Sequence, residues 1–282
     1  MKTLKSRFST FLNNLSGIIV GNPAFIRNMV KPAFVKILDI ATFGRGIRVN
    51  IGGQGQFRMS PHFYFSNWEN FGGGHNSGFS YCLESAENKN VVLDVGAHIG
   101  LYSMPLSQKI APGGKVYSFE PSSVNRFFLK KHLRLNNISN VDVQSCMVGR
   151  DNVDAVGFYE DKNQVNPMGG IVLTDNIKNN AVPVFKKMVS LDQFCKDKNI
   201  TPELIKVDIE GAELDLLWGA ICIVKSSRPT IVLSIHPHHI KKMGLSLDSL
   251  TEYLQEVDYQ CLTYDLKNNS DYAVNECILL PN

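Results

Sequence analysis

The sequence predicts an α/β fold: a mostly parallel sheet with helices on both faces, an antiparallel insertion, and an N-terminal helical and hairpin extension. Three observations carry this reading. Short apolar runs bounded by turns recur from residue 90 to 280, helical periodicity fills most of the gaps between them, and the composition, 44% hydrophobic and 20% charged over 282 residues, is that of a globular chain with a real core.

The extension comes first, over residues 1–82, with the main domain expected over 83–282. Phe8, Phe11, Leu12 and Leu15, then Phe25, Met29, Phe34, Ile37 and Leu38, fall at helical spacing on either side of Gly21-Asn22-Pro23, so two helices are expected. Their apolar faces are expected to pack on the same chain or on a second subunit in a homo-oligomer, with a peripheral membrane contact as the alternative. Alternation at Ile47, Val49 and Ile51 predicts a short hairpin. The glycine- and aromatic-rich stretch Phe63 to His75 reads as a loop, either a packed surface loop or a lid over a substrate. Residues 1–82 are thus an extension with a lid or oligomerisation role.

Strands are expected at Val91–Val95, Lys115–Glu120, Val141–Val148, Leu204–Asp208 and Thr230–Ile235, with closing strands near 259–264 and 275–280. Helices are expected at 99–110, shortened or bent by Pro105, and at 123–136, 211–224 and 246–256. Between 151 and 189 three strand-like runs follow one another with no crossing helix, which predicts the antiparallel insertion.

Composition narrows the function. A net charge of +3 from 29 basic and 26 acidic residues gives no broad positive field, so a nucleic-acid partner is not expected. The six cysteines show neither a C-x-x-C pair nor zinc spacing, as reduced thiols in a cytoplasm would. No run reaches the ~18 apolar residues of a membrane span, and Asn13 and Asn14 break the apolar stretch that follows the basic start. A cytoplasmic protein is therefore expected.

The chemistry begins where the first parallel strand ends in Asp94, followed by Gly96 and Gly100 at the entry to a helix. Glycines there let the backbone turn tightly and approach a ligand closely. The next strand ends in Glu120, whose carboxylate can accept both hydroxyls of a ribose. A dinucleotide site expects G-x-G-x-x-G for a pyrophosphate. Here the spacing is G-x-x-x-G, and an acid precedes the first glycine by two residues, which disfavours phosphate and suits a cationic ligand such as a sulfonium carrying an amino-acid ammonium. The cofactor read from this pattern is S-adenosyl-L-methionine, with Asp94, Gly96, Ala97, Gly100, Glu120 and Pro121 as its binding residues.

Five ordered blocks, Val91 to Leu106, Ser118-Phe119-Glu120-Pro121-Ser122 with Asn125 and Asn136, Ser190 to Phe194, Ile205-Lys206-Val207-Asp208-Ile209-Glu210-Gly211-Ala212-Glu213, and Trp218-Gly219-Ala220, resemble those of FkbM-type methyltransferases. The resemblance implies a class I methyltransferase, Rossmann-like fold and O-methylation of a hydroxyl on a sugar, glycan or other small metabolite. This chain departs from the family at Ser234, on the strand before His236-Pro237, where members commonly carry an acid.

Ligands of open parallel sheets sit at the carboxyl ends of the strands, so Asp94, Glu120, Asp208, Glu210 and His236 are expected to face one crevice. An alcohol becomes a good nucleophile once its proton is removed or a metal polarises it. Asp208, Glu210 and His236 are the catalytic candidates, for positioning the acceptor or taking its proton. Glu213 is read as a helix-first-turn acid and His238 and His239 as loop residues. A divalent metal on Asp208, Glu210 and a histidine is chemically conceivable, and none is assigned. The alternatives are a catalytically inactive methyltransferase-like binding domain and, more remotely, a nucleic-acid methyltransferase, for which no N-P-P-Y-type block is present.

Overall fold

The computed structural model describes residues 23–73, 76–160, 170–171, 182–242, 244, 246–265, 267, 269 and 276–282. The first expected helix, part of the insertion, and Gly74 and His75 of the aromatic loop lie outside them.

Helix α1 (Pro23–Ala41) leads to an antiparallel hairpin of β1 (Ile47–Asn50) and β2 (Gln56–Met59), paired from Ile47↔Met59 to Asn50↔Gln56. The hairpin forms as the alternation predicts, because Ile47, Phe57 and Met59 bury one face. The ring of Phe34 on α1 lies 5.4 Å from those of both Tyr64 and Phe65, while Ile37, Ile40 and Phe43 remain exposed. Short turns through Pro61–Phe63 and Trp68–Asn70 then lead to α2 (Phe79–Ser85).

The central sheet has seven strands: β3 (Val91–Val95), β4 (Lys115–Phe119), β5 (Val141–Gln144), β10 (Leu204–Val207), β11 (Thr230–Ser234), β12 (Tyr259–Leu262) and β13 (Glu276–Pro281). Across the sheet they run β12-β13-β11-β10-β3-β4-β5. Neighbours from β5 through β11 are parallel, and β13 is antiparallel to both β11 and β12. The order reverses between β3 and β10, which opens a crevice at their carboxyl ends. That reversal is what positions the site.

Alternate strand residues serve opposite faces. Leu93, Val95, Ile205, Val207, Ile231 and Leu233 pack with Phe194, Leu217 and Tyr253 on one side. Val92, Val116, Leu204 and Val232 pack on the other with Phe79, Leu83, Met104 and Leu129, and the hairpin residues Phe57 and Met59 join this second core.

Four sequence expectations are corrected. The helix expected from 99 is α3, Ser103–Lys109, because Gly100 has φ +96° and residues 98–102 form turns. Pro105 falls in its first turn, where the missing N–H has no intrahelical partner to lose. After α4 (Ser123–Leu135), the single strand expected at Val141–Val148 divides. Its second part, β6 (Met147–Val148), joins a separate four-stranded sheet, order β6-β9-β7-β8, with β7 (Val153–Glu160), β8 (Gly170–Ile171) and β9 (Val182–Val189). That sheet is the insertion; β7 pairs antiparallel with β8 and β9, and β6 runs parallel to β9.

The helix expected at 211–224 is two, α6 (Glu213–Trp218) and α7 (Ile221–Ser227), which follow α5 (Leu191–Lys198). Gly219 sits so close to the chain that a Cβ there would lie 2.1 Å from the Gly149 carbonyl oxygen. The Asp192 carboxylate, from α5, accepts from the Cys222 and Ile223 N–H groups at 3.0 and 2.8 Å and so starts α7 anew. Finally, Pro237–Lys242 is a short helix, α8, where a loop was expected around His238 and His239; α9 (Asp248–Val257) follows.

Candidate active site

Three side chains lie in a row across the second face of the sheet. Ser118, Asp94 and Lys206 are register partners on β4, β3 and β10. Asp94 has no exposed surface. Its Oδ2 accepts from the Ser103 hydroxyl at 2.6 Å, Ser118 donates to Ser103 at 3.0 Å, and Oδ1 is 3.4 Å from the Lys206 ammonium. Burial would push the Lys206 pKa down, but Asp94 and Asp208 outweigh it and hold it above its ordinary value. Lys206 stands over the Tyr102 ring at 4.8 Å and donates to the Gly96 carbonyl oxygen at 2.9 Å. Asp94 thus meets the glycine loop from beneath, through Lys206, rather than facing the crevice.

The loop is fixed from its other side as well. The Gly96 and Ala97 N–H groups donate to the Phe119 carbonyl at 3.1 and 2.9 Å. Gly96 has φ +82°, and a Cβ there would fall 1.8 Å from the Asp208 carbonyl oxygen, so the β3 and β10 ends touch through a position only glycine fills.

Glu120 closes the donor side. One carboxylate oxygen accepts the His98 N–H at 2.8 Å and the other the Ser122 N–H at 2.8 Å, with the Asn125 amide at 3.4 Å. Ser122 caps α4, and the Arg126 guanidinium donates to the Glu120 and Pro121 carbonyls at 2.8 and 3.0 Å. Burial pushes the Glu120 carboxyl up to about 7 in spite of the hydrogen bonds that favour its charge.

Across the switch point, the turn after β10 and the segment after β11 bring Asp208, Glu210, Glu213 and His236 together. Glu213, 1% exposed, accepts from His236 Nδ1 at 2.7 Å and from the Gly211 N–H at 2.9 Å. That bond aims Nε2 of His236 at Asp208 Oδ1, 3.7 Å away, and Glu210 Oε2, 3.5 Å away. Glu210 holds a left-handed backbone, φ +58°, and His239 Nδ1 donates to its carbonyl at 3.1 Å. Burial opposes the charge on His236, but the bond to Glu213 and the fields of Glu210 and Asp208 prevail and raise it to about 9. The Glu210 carboxyl is raised chiefly by burial.

The structure therefore brings Glu120, Asp208, Glu210 and His236 to one edge and sets Asp94 below it. Sequence reasoning gave three groups no role in the site. Lys206 had a signal, a lone charge inside an apolar strand, since lysine is almost never fully buried unless paired. Glu213 is more than a first-turn acid, because it holds His236. Glu276 had no local signal: it is the cross-strand partner of Ser234 and places a carboxylate 3.5 Å from its hydroxyl. β13 thus brings a carboxylate beside Ser234. Glu276 also accepts from the Ser77 hydroxyl and the Gly78 N–H at 2.6 and 2.8 Å, tying the start of α2 to the sheet edge.

In chain order the seven sheet strands lie 3-2-1-4-5-7-6 with the last one antiparallel, and with a glycine loop after the first strand and an acid after the second this defines the class I methyltransferase fold. Residues 94–261 match the methyltransferase FkbM domain, and the chain belongs to that family.

The chain is 25% identical over 156 residues to "Methyltransferase 1" of Beauveria bassiana, covering 49% of this chain and 61% of that protein. It is 27% identical over 165 residues to "Methyltransferase sdnD" of Sordaria araneosa, covering 49% and 63%. The match thus spans about three-fifths of either relative's length. A solved FkbM methyltransferase from Methylobacillus flagellatus is similar at 24% identity and a TM-score of 0.44, over 69% of this chain and 44% of that one. No helix among the described residues is long and apolar enough to cross a membrane.

Proposed function

We propose that this protein transfers a methyl group from S-adenosyl-L-methionine to a hydroxyl of a sugar, glycan or other small hydroxylated metabolite. The residues fit that donor. Each Glu120 oxygen accepts one backbone N–H; Oε2 keeps a lone pair for a ribose hydroxyl, while Oε1 also faces the Asn125 amide at 3.4 Å. The carboxylates of Asp208 and Glu210 suit a sulfonium and an ammonium. Bound there, the donor supplies an electrophilic methyl group on a cationic sulfur.

The single observation that carries the acceptor side is His236, fixed by Glu213 at 2.7 Å with Nε2 turned toward Asp208 and Glu210. In that field His236 keeps its proton at neutral pH. Nε2–H then donates to the acceptor oxygen, and an Asp208 or Glu210 carboxylate takes the hydroxyl proton as the oxygen–carbon bond forms and the methyl carbon–sulfur bond breaks, its electron pair returning to a now neutral sulfur. Asp94 serves the donor indirectly, through Lys206 and the Gly96 carbonyl. Residues 1–82 form an accessory element, and the reduced thiols accord with a cytoplasmic location.

A catalytically inactive domain would bind the donor alone. Ser234, where family members commonly carry an acid, favours that reading, and Glu276 places a carboxylate beside it. Incubation with isotopically labelled donor and panels of glycans and small alcohols, followed by mass spectrometry, tests the choice. A +CH2 product labelled on oxygen is expected; donor binding without turnover on any hydroxyl would favour the inactive domain.

A further inference from the structure

We propose that Asp208, Glu210 and His236 form a binding site for one divalent cation of the magnesium or manganese type, with Glu213 as the residue that orients the histidine ligand. The proposal deepens the acceptor side of the reading above and rests on it only for the role of the ion.

The geometry comes first. One ligand atom from each of the three residues lies within 4.8 Å of the others. Nε2 of His236 stands 3.5 Å from Glu210 Oε2 and 3.7 Å from Asp208 Oδ1. Those separations are too long for a good N–H···O bond, whose usual length is about 2.9 Å. Two atoms each about 2.1 Å from one metal lie roughly 3.0 to 3.5 Å apart, depending on the angle between them, so the Glu210 separation fits a shared ion and the Asp208 one is slightly wide of it. Glu210 Oε2 also lies 3.4 Å from His239 Nδ1, so a second imidazole flanks the same carboxylate.

A second observation is independent of the three ligands. Metal-bound histidines usually give their other ring N–H to a carboxylate, which fixes the tautomer and the ring plane. Glu213 does this for Nδ1 at 2.7 Å, from a side chain 1% exposed whose second oxygen, Oε2, is buried without a hydrogen-bond partner. The buried Glu213 charge needs a positive partner, which the imidazolium or an ion on Nε2 supplies equally. Two carboxylates and one imidazole suit a hard or borderline cation that keeps open positions for water or substrate.

In the ion's presence the acceptor hydroxyl would bind in one of those positions, its acidity raised by the metal. The second oxygen of either carboxylate remains to take its proton. The cation stands where the imidazolium proton otherwise stands, so the same three residues serve with either occupant.

The test is a titration of the chelator-treated full chain with Mn2+ alone, read by calorimetry and by loss of the free-ion paramagnetic resonance signal. One ion per chain is expected. Asp208→Asn and His236→Gln should each abolish or strongly weaken binding, Glu213→Gln should weaken it about 10- to 100-fold, and the exposed Asp154→Asn should leave it unchanged, with thermal unfolding confirming that each variant is folded. No binding by the parent chain, or equal binding by folded Asp208→Asn and His236→Gln, overturns the site. Because the readout needs neither donor nor acceptor, failure to find a methylated hydroxyl would overturn the proposed reaction and leave this result intact.

Discussion

The two sides of the crevice handle charge in opposite ways. On the donor side Asp94 and Lys206 are buried and register-paired, Lys206 donates to the Gly96 carbonyl, and Glu120 is held by two N–H groups. On the acceptor side Asp208, Glu210 and His236 are each about one-quarter exposed and converge without satisfying one another. A closed network fixes a shape, here the glycine loop. An open cluster keeps its hydrogen-bonding and ligating capacity for whatever enters. The difference separates residues that build the donor pocket from those available for chemistry.

The strongest way to break the comparison is Lys206→Met. It strands a buried Asp94, and removal of one partner from a buried pair typically costs about 3–5 kcal/mol, to be read by denaturant unfolding. Adding Asp94→Asn should recover more than half of that loss. A Lys206→Met chain as stable as the parent would mean that the ion pair does not hold the closed side.

Next in size is Glu120→Gln, expected to weaken S-adenosylhomocysteine binding about 10- to 100-fold by calorimetry through loss of charge-assisted hydrogen bonds. The parent should show a matching pH dependence. Glu120 titrates near 7, and its ionised form is the one that accepts ribose hydroxyls. The ionised fraction should be one half near pH 7, so affinity should approach its full value above about pH 8 and fall below pH 7 toward that of Glu120→Gln. A flat profile in the parent would remove Glu120 from the donor site.

The smallest effect concerns the open cluster. His236 titrates near 9 in the fold, against about 6.5 when unfolded. A raised folded value gives stability that is complete below the unfolded value and lost as pH rises through the folded one. In chelator, the parent should lose about 1–2 kcal/mol between pH 7 and 10, discounted for partial exposure. His236→Gln should lose correspondingly less.

Much of the fold was legible because it rests on local periodicity. Val91–Val95 and Lys115–Phe119 carry apolar residues on both faces, as buried parallel strands do. The break at Gly219 was not, since its cause is the Gly149 backbone and the Asp192 carboxylate from other elements. Within the site, Glu120 was legible from its place at a strand end. The hidden parts were contacts between distant segments, such as Glu276 bonded to Ser77 and Gly78 across nearly 200 residues.

By itself the sequence determined the α/β architecture, the glycine loop at Gly96 and Gly100, and the acids at the ends of β4 and β10. Periodicity, turn chemistry and strand ends are properties of neighbouring residues. Tertiary structure alone decided which way those acids face. Residues of one strand alternate between faces, and whether a carboxylate meets a lysine, a histidine or solvent depends on the neighbouring strand's register. Thus Asp94 turns inward to Lys206, Glu213 turns to His236, and Glu276 takes up the place beside Ser234.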